Sequence, residues 1–274
     1  MACHAGICEL ADSFRVLSLT ATGCAVVDHN LRSGDDRGGV AVSRTNFFVT
    51  GDVSTVRMGA DLSSITAVGA VHDGLISNVD TEEVYVLMTA AGVEVTSSSP
   101  PVTITQLGVL NPATGVLTAT RIPLTMPIPV AYGTGIMSGY GEGLLGVPSG
   151  ANLRWWRIEL PSGMVTQLSQ TPTPSHRSCE SWAYWGIAER YAGAHYVVYV
   201  ESTTVIARLP VPDVGTSVLV AAPAAMFTNL GDMCSITFST SRNRWYFHHE
   251  YDSQFGGDPS GETAGYCNGT YDRP

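Results

Sequence analysis

Apolar and polar residues alternate over short runs along most of this chain. The runs are rich in Val, Ile, Thr, Tyr and Phe and are bounded by Gly, Pro, Asn and Asp, a pattern typical of half-buried β-strands. No segment carries the capped i, i+3, i+4, i+7 apolar spacing that predicts an amphipathic helix. The pattern therefore predicts an all-β fold made of many short strands.

One two-strand pattern recurs five times. Each copy opens with about four small or aliphatic residues, passes through a polar turn and returns on an apolar strand. The copies are Gly39–Gly51, Gly74–Met88, Gly135–Val147, Trp185–Val200 and Ser235–His249. Their starts lie 35, 61, 50 and 50 residues apart, and repeats of about this length are typical of propeller blades.

Two hairpins of another kind fall between these copies. They are GVLNPATGVLTA at Gly108–Ala119 and WRIELPSGMVTQ at Trp156–Gln167, and their turn glycines, Gly115 and Gly163, lie 48 residues apart. The first lies between the second and third copies and the second between the third and fourth. This alternation of inner and outer hairpins predicts four strands in each blade.

Five inner hairpins predict five blades. The last blade begins at Ser235, and ETAGYCNG supplies its third strand. We expect the N-terminal run Phe14–His29 to supply the fourth, which removes open sheet edges. The sequence thus predicts one domain over residues 1–274, a five-bladed β-propeller closed by N- and C-terminal strands, with residues 1–13 as a Cys-containing extension. A β-sandwich of similar length is the alternative.

The six cysteines favour an exported protein, because their number is even and they cluster toward the chain ends. The predicted closure places Cys24 beside Cys267. Cys179 and Cys234 both precede inner strands of adjacent blades, and Cys3–Cys8 is the remaining pair. Zinc is the competing interpretation of CHAGIC, but no second cysteine pair completes four ligands. We expect a secreted or cell-surface protein.

The charge excludes several functions. The net charge is −10, and all 14 basic residues are Arg. Binding to nucleic acid needs clustered basic side chains, so we expect no nucleic-acid partner. The absence of Lys also excludes Schiff-base chemistry. No apolar run approaches the roughly 20 residues that span a bilayer, so we expect no membrane insertion.

The propeller prediction divides the loops between two faces. Loops leading into the first strand and out of the second strand of each blade share one face, here called the loop face. It collects acids with His, Tyr and Trp: Asp35, Asp36, His72, Asp73, Tyr132, His176, Glu180, Trp182, Asp232, Asp52, Glu201, His249, Glu250 and Asp252. The turns between first and second strands form the opposite, turn face. It carries four basic residues, Arg44, Arg190, Arg242 and Arg244. It also carries the acidic run 80–83 and Glu142.

A cation site is one hypothesis for the loop face. Calcium prefers six to eight oxygen ligands from carboxylates and carbonyls. Four acids precede four of the five innermost strands and could converge on the axis: Asp36, Asp73, Glu180 and Asp232. The sequence therefore predicts Ca²⁺ or another cation in the central channel.

Ligand binding is the second hypothesis, because propeller loops present variable side chains on a rigid scaffold. The expected partner is a glycan or a protein. The candidate binding residues are Trp182, His249, Asp252, Asp52 and His176. The alternative is a glycosidase-like hydrolase with Glu180 and Asp232 as its paired carboxylates. No nucleophile-elbow, zinc-protease or nucleotide-binding motif is present.

The segment ESWAYWGIAERYAGAHYVVYV, followed about 50 residues later by DMCSITFSTSRNRWYFHH, resembles the blade pattern of olfactomedin-type five-bladed propellers. The resemblance covers Glu180–His249. The Asp and Asn cluster that holds ions in that family's channel has no residue-by-residue match in this sequence. The resemblance therefore implies the fold and its general character, and no site residue.

Overall fold

The computed structural model describes the following residues: 2–4, 7–9, 22–28, 39–50, 54–95, 101–131, 133–173, 185–191, 194–202, 205–211, 220–221, 233–249 and 263–268. Within these ranges every regular element is a β-strand, so the all-β prediction is confirmed. No helix in this part of the chain is long and apolar enough to cross a membrane.

The strands follow in chain order. They are β1 (Ala2–His4), β2 (Ile7–Glu9), β3 (Thr22–Asp28), β4 (Val40–Val42), β5 (Asn46–Thr50), β6 (Thr55–Gly59), β7 (Thr66–Ala67), β8 (Leu75–Asn78), β9 (Glu83–Met88), β10 (Val102–Leu110), β11 (Leu117–Val130), β12 (Gly135–Gly139), β13 (Glu142–Ser149), β14 (Asn152–Glu159), β15 (Val165–Pro172), β16 (Trp185–Tyr191), β17 (Ala194–Ser202), β18 (Val205–Val211), β19 (Val220–Ala221), β20 (Met233–Ser239), β21 (Arg244–His249) and β22 (Thr263–Asn268).

Twenty of these strands form five antiparallel units of four. Strands β4–β7, β8–β11, β12–β15 and β16–β19 make the first four units, each a meander. The last unit has the order β20-β21-β22-β3, so its outermost strand comes from near the N-terminus. The remaining strands, β1 and β2, pair with each other.

The first strands of the units form a ring. Strand β12 pairs in parallel with β8 on one side and β16 on the other. Strand β20 contacts β16 and β4, and β4 in turn contacts β8. The cyclic order is therefore β4-β8-β12-β16-β20. This is the architecture of a β-propeller and differs from the two packed sheets of the alternative sandwich.

Apolar side chains fill the gaps between units. Between the second and third units, Ile76 and Leu87 pack in one buried cluster with Trp156. Between the first and last units, Phe47 packs against Tyr246 with ring centroids 4.9 Å apart. The first unit is thus in direct contact with the last through their sheet faces, which buries apolar surface where the ring returns to its start.

The hairpin that joins β10 to β11 lies on the preceding unit. The carbonyl of Pro112 accepts hydrogen bonds from Asn46 Nδ2 at 2.5 Å and Thr45 Oγ1 at 3.3 Å. The guanidinium of Arg57 donates to the carbonyl of Ala113. This proline–glycine turn therefore ties the second unit to the first.

The hairpin that joins β14 to β15 repeats this arrangement one unit later. The backbone N–H of Thr125 on β11 donates to the carbonyl of Gly163 at 3.1 Å. The N–H of Val165 donates to the hydroxyl of Thr125 at 2.9 Å. The 48-residue spacing of the two turns thus reflects an equivalent backward contact from successive units.

Two predicted cysteine pairs lie opposite each other in the strand registers. Cys24 on β3 faces Cys267 on β22, and Cys3 on β1 faces Cys8 on β2. Cys179 lies outside the described residues, so its pairing with Cys234 has no structural counterpart here. The bonds themselves remain predictions.

Candidate functional site

Three turns meet on the turn face near the axis. Glu82 lies in the turn between β8 and β9, and its side chain is only 2% exposed. Its Oε1 accepts hydrogen bonds from Ser239 Oγ at 2.5 Å and Ser241 Oγ at 2.7 Å, both in the last unit. The backbone N–H of Ser241 adds a third, at 3.3 Å. The carboxylate of the second unit therefore lies among donors of the fifth.

An arginine completes this arrangement. Arg242 Nη1 lies 3.3 Å from Glu82 Oε2 and donates to the Ser43 carbonyl at 3.1 Å. It also lies 3.1 Å from Ser239 Oγ. Because Ser43 follows β4, these bonds join the first, second and last units. Side chains from the turns of the second and last units are thus bonded to one another on the turn face. We call Glu82, Ser239, Ser241 and Arg242 the turn-face cluster.

The second unit is tied to its other neighbours by the same turn. Asn78 Oδ1 accepts from the N–H of Gly141 in the third unit at 3.1 Å. Arg44 Nε of the first unit donates to the carbonyl of Thr81 at 3.3 Å. The turn after β8 therefore bonds to three other units.

A second buried carboxylate lies between the third and fourth units. Glu142 Oε2 pairs with Arg157 Nε at 2.5 Å, and Glu142 Oε1 lies 3.1 Å from His195 Nδ1 on β17. Arg157 also pairs with Glu159 at 2.7 Å. Burial acts to raise the pKa of Glu142, but hydrogen bonds and charge from His195 and Arg157 outweigh it and hold that pKa below its ordinary value. Glu142 is therefore an ionised structural partner.

His72, predicted on the loop face, is buried. Its Nδ1 lies 2.7 Å from Glu94 Oε2 and its Nε2 lies 2.9 Å from the Gly115 carbonyl. Both partners accept, so both ring nitrogens donate only when the imidazole is protonated. The backbone of His72 is held as well, by the hydroxyls of Thr50 and Thr55. His72 therefore connects the first two units and is not presented to a ligand.

Two predicted site residues lie within the described part of the chain. Asp73 is almost completely buried just before β8, and His249 ends β21. The others lie outside the described residues: Asp36, Asp52, His176, Glu180, Trp182, Asp232 and Asp252. Among the residues that the structure describes, no group of three or more His, Cys, Asp or Glu side chains could hold a metal. The predicted cation site remains a prediction.

Serine hydroxyls accept hydrogen bonds from backbone N–H groups along the edges of the first strands. The N–H of Val42 donates to Ser77 Oγ at 2.9 Å, and the N–H of Ser77 donates to Ser138 Oγ at 2.9 Å. The hydroxyls thus satisfy backbone groups that the adjoining sheets leave unpaired. This chain of bonds links the first, second and third units around the axis.

In the last unit the first strand, β20, also carries a row of hydroxyl side chains. Ser235, Thr237 and Ser239 lie on one face of β20, and the register places His248 and Tyr246 opposite the first two. Since Tyr246 packs on the first unit, this row lies at the seam between the last and first units. Both residues are fully buried. Among the residues that the structure describes, Ser235 Oγ and Thr237 Oγ1 have no hydrogen-bond partner, although buried hydroxyls are normally bonded to protein or water.

The buried glutamates were not foreseen as partners. The sequence placed Glu142 and the run 80–83 on the turn face as turn residues, and it gave no sign that Glu82 meets Ser239. Apolar patterning identifies strands, but it does not reveal which turn side chains converge once five units close around an axis. The charged turn residues themselves were the only usable signal.

Comparisons with known proteins identify no family for this chain. No protein-family model matches the chain, and no curated protein matches it. The chain is similar to the solved structure of Myxococcus xanthus glutaminyl cyclase, with 15% identity over 89% of this chain and 94% of that one and a TM-score of 0.45.

Two other solved structures illustrate the range of similar proteins. A calcium-binding protein, regucalcin, from Agrobacterium tumefaciens is 11% identical over 85% of this chain and 78% of that chain, with a TM-score of 0.35. The Dos1 propeller is 9% identical over 77% of this chain and 53% of that chain, with a TM-score of 0.30. Likenesses this distant carry no argument about function, and the olfactomedin-type resemblance remains a prediction.

Proposed function

We propose that this propeller is an extracytoplasmic binding module that takes a glycan or a protein at its loop face. The observation that supports this most directly is the hydrogen bonding on the opposite, turn face. Near the axis there, Glu82, Ser239, Ser241 and Arg242 are hydrogen-bonded to one another. These bonds hold the turns of the first, second and last units together, so we place the ligand at the opposite, loop face.

The residue types of the loop face suit a hydroxyl-rich ligand. Carboxylates and imidazoles accept hydrogen bonds from hydroxyl groups, and an indole offers a flat apolar surface with a polar edge. The predicted set is Asp52, His176, Trp182, His249 and Asp252.

Export and a bound cation belong to the same proposal. We infer disulfides Cys24–Cys267 and Cys3–Cys8, because each pair lies in register on adjacent antiparallel strands, and Cys179–Cys234 from the sequence. A Ca²⁺ ion held by Asp36, Asp73, Glu180 and Asp232 would order the loops around the axis.

The test is capture on a glycan array. Wild-type protein, a Trp182→Ala variant and an Asp80→Asn variant are compared. Asp80 is exposed on the turn face, so its variant controls for a substitution at the opposite end of the ring. Capture that is lost in W182A and kept in D80N supports the proposal. Capture that is lost only in D80N contradicts it. Cleavage of a captured glycan that stops in Glu180→Gln would favour the hydrolase alternative.

A further inference from the structure

The turn between β20 and β21 gathers three kinds of donor around one carboxylate. Ser239 and Ser241 contribute hydroxyls, Ser241 adds its backbone N–H, and Arg242 adds its guanidinium. All of these donors come from residues 239–242 of the last unit. Glu82 comes from the second unit, 157 residues away from Ser239 in the chain. The donors are therefore close together in the chain, whereas the carboxylate belongs to a residue far away in the sequence.

The donor group is held in place by contacts other than those to Glu82. Arg242 Nη1 bonds to the carbonyl of Ser43 at 3.1 Å and lies 3.1 Å from Ser239 Oγ. The two serine hydroxyls lie 3.4 Å from each other. Because these bonds involve no carboxylate, we expect the donors to stay together when the glutamate side chain is removed. Donors fixed in advance around one point bind an anion more tightly than flexible ones.

The chemistry of the donors selects a carboxylate. One oxygen of the Glu82 carboxylate accepts hydrogen bonds from two hydroxyls and a backbone N–H, and the other oxygen faces the guanidinium. Hydrogen bonds from hydroxyl, backbone N–H and guanidinium groups to an ionised oxygen are the strong, charge-assisted kind. Among the residues that the structure describes, Glu82 is the one acidic side chain bonded to these donors.

Glu82 reaches the donors from an unfavourable backbone conformation. Its φ angle is 56°, in the left-handed region that non-glycine residues seldom occupy. Such a conformation persists where surrounding contacts compensate for its cost. Glu82 thus resembles a tethered ligand, and its tether gives it a high effective concentration at the donors.

We propose that residues 239–242 form a carboxylate-binding site of which Glu82 is the resident ligand. The site takes a small free carboxylate when the Glu82 side chain is absent. This inference is independent of the proposed binding at the loop face, because it concerns the opposite end of the ring and a different ligand class.

Chemical rescue of Glu82→Ala by formate tests the inference. The melting midpoint is measured in sodium formate and in sodium chloride at equal ionic strength and pH 7. We expect E82A to melt below the wild type and formate to raise its midpoint saturably, while chloride does not. At ten times its dissociation constant, formate would increase the folding constant about elevenfold. Wild-type protein should show no formate-specific shift, because Glu82 fills the site.

Matched variants separate this site from general salt effects. Glu83→Ala removes the neighbouring carboxylate, which bonds to Thr81 and Tyr85 and not to the cluster. It should show no formate-specific shift. Adding Arg242→Ala to E82A should abolish the rescue. Equal responses to formate and chloride in E82A, or rescue that persists without Arg242, would overturn the inference.

A second measurement applies if E82A does not fold. Glu82→Gly also removes the side chain, and glycine adopts the positive φ of this position readily. Broadening of the ¹³C-formate NMR signal by folded E82G, absent with wild-type protein, would support the site. Absence of broadening with folded E82G would overturn it.

Discussion

Arg242 Nη1 lies 3.3 Å from Glu82 Oε2, although the two residues are 160 positions apart in the chain. Arg242 belongs to the last unit and Glu82 to the second. In repeat proteins each unit ordinarily contacts only its neighbours. This ion pair and the bond from Arg242 to Ser43 connect three units at once, so we expect the ring to unfold cooperatively.

Removal of the guanidinium tests this connection. Arg242→Ala leaves the buried carboxylate of Glu82 without its cation and should reduce the free energy of unfolding by about 1–3 kcal/mol. Urea denaturation at pH 7 measures the change. Arg121→Ala is the matched control, because Arg121 is exposed and donates only to the nearby carbonyls of Thr118 and Thr120. Equal losses in R242A and R121A would contradict the role of Arg242.

The Glu142 network should make stability depend on acidity. The pKa of Glu142 is below its ordinary value of 4.5 in the folded protein. Its contribution is therefore fully present above about pH 4.5 and is lost as the pH falls through the lower folded value. Unfolding free energies of wild-type protein and Glu142→Gln, measured from pH 7 to pH 3, should show a steeper acid slope for the wild type. Identical slopes would contradict the assignment.

His72 should contribute to stability through its two ring contacts. His72→Leu leaves the Glu94 carboxylate and the Gly115 carbonyl without their donor, so we expect a loss of about 1–3 kcal/mol. Glu94→Gln removes the charge of one partner only and should cost less. A double-mutant cycle in urea gives the coupling between His72 and Glu94. A coupling of zero would show that their contact contributes no stability.

Two turn glycines of the third unit offer a matched pair. A Cβ on Gly163 would lie 2.5 Å from the carbonyl oxygen of Pro123 in the second unit, whereas a Cβ on Gly150 would meet nothing within 4 Å. Their φ angles are similar, 73° and 66°, so both alanine variants carry the same backbone cost of about 1–2 kcal/mol. Gly163→Ala should lose more, because the second unit must move. Equal losses in thermal denaturation would argue against the backward contact.

The proposed cation gives a prediction about chelation. EDTA should lower the melting midpoint and added Ca²⁺ should restore it, because a ligand of the native state stabilises that state by mass action. Asp36→Asn should weaken this response. An unchanged melting midpoint with EDTA would contradict the proposed Ca²⁺ site. It would not affect the proposal that the loop face binds a ligand.

The sequence predicted the strands well because their signals are local. Short runs of mostly apolar residues predict the strands Leu75–Asn78 and Gly135–Gly139. The turn glycines Gly115 and Gly163 predict the hairpins. The third strand of the last unit, Thr263–Asn268, was found in the same way. These elements depend on neighbours within about ten residues, so a pattern suffices.

The side-chain clusters could not be predicted because they depend on the closed ring. Glu82 meets Ser239 only when the second and last units lie beside the first. His72 was expected at the surface because it precedes a strand, yet it bonds to Glu94 and to the carbonyl of Gly115 on another hairpin. Contacts of this kind are set by the packing of one unit on another and leave no periodic signal.

Hydrogen–deuterium exchange of the protein, alone and with the glycan captured most tightly on the array, tests the central claim most directly. The account predicts slower exchange in loop-face segments, such as residues 68–74, 131–134 and 174–184. It predicts no change at the turn-face residues 43–45, 79–82 and 240–243. Protection confined to the turn-face residues would contradict the claim that the ligand is bound at the loop face.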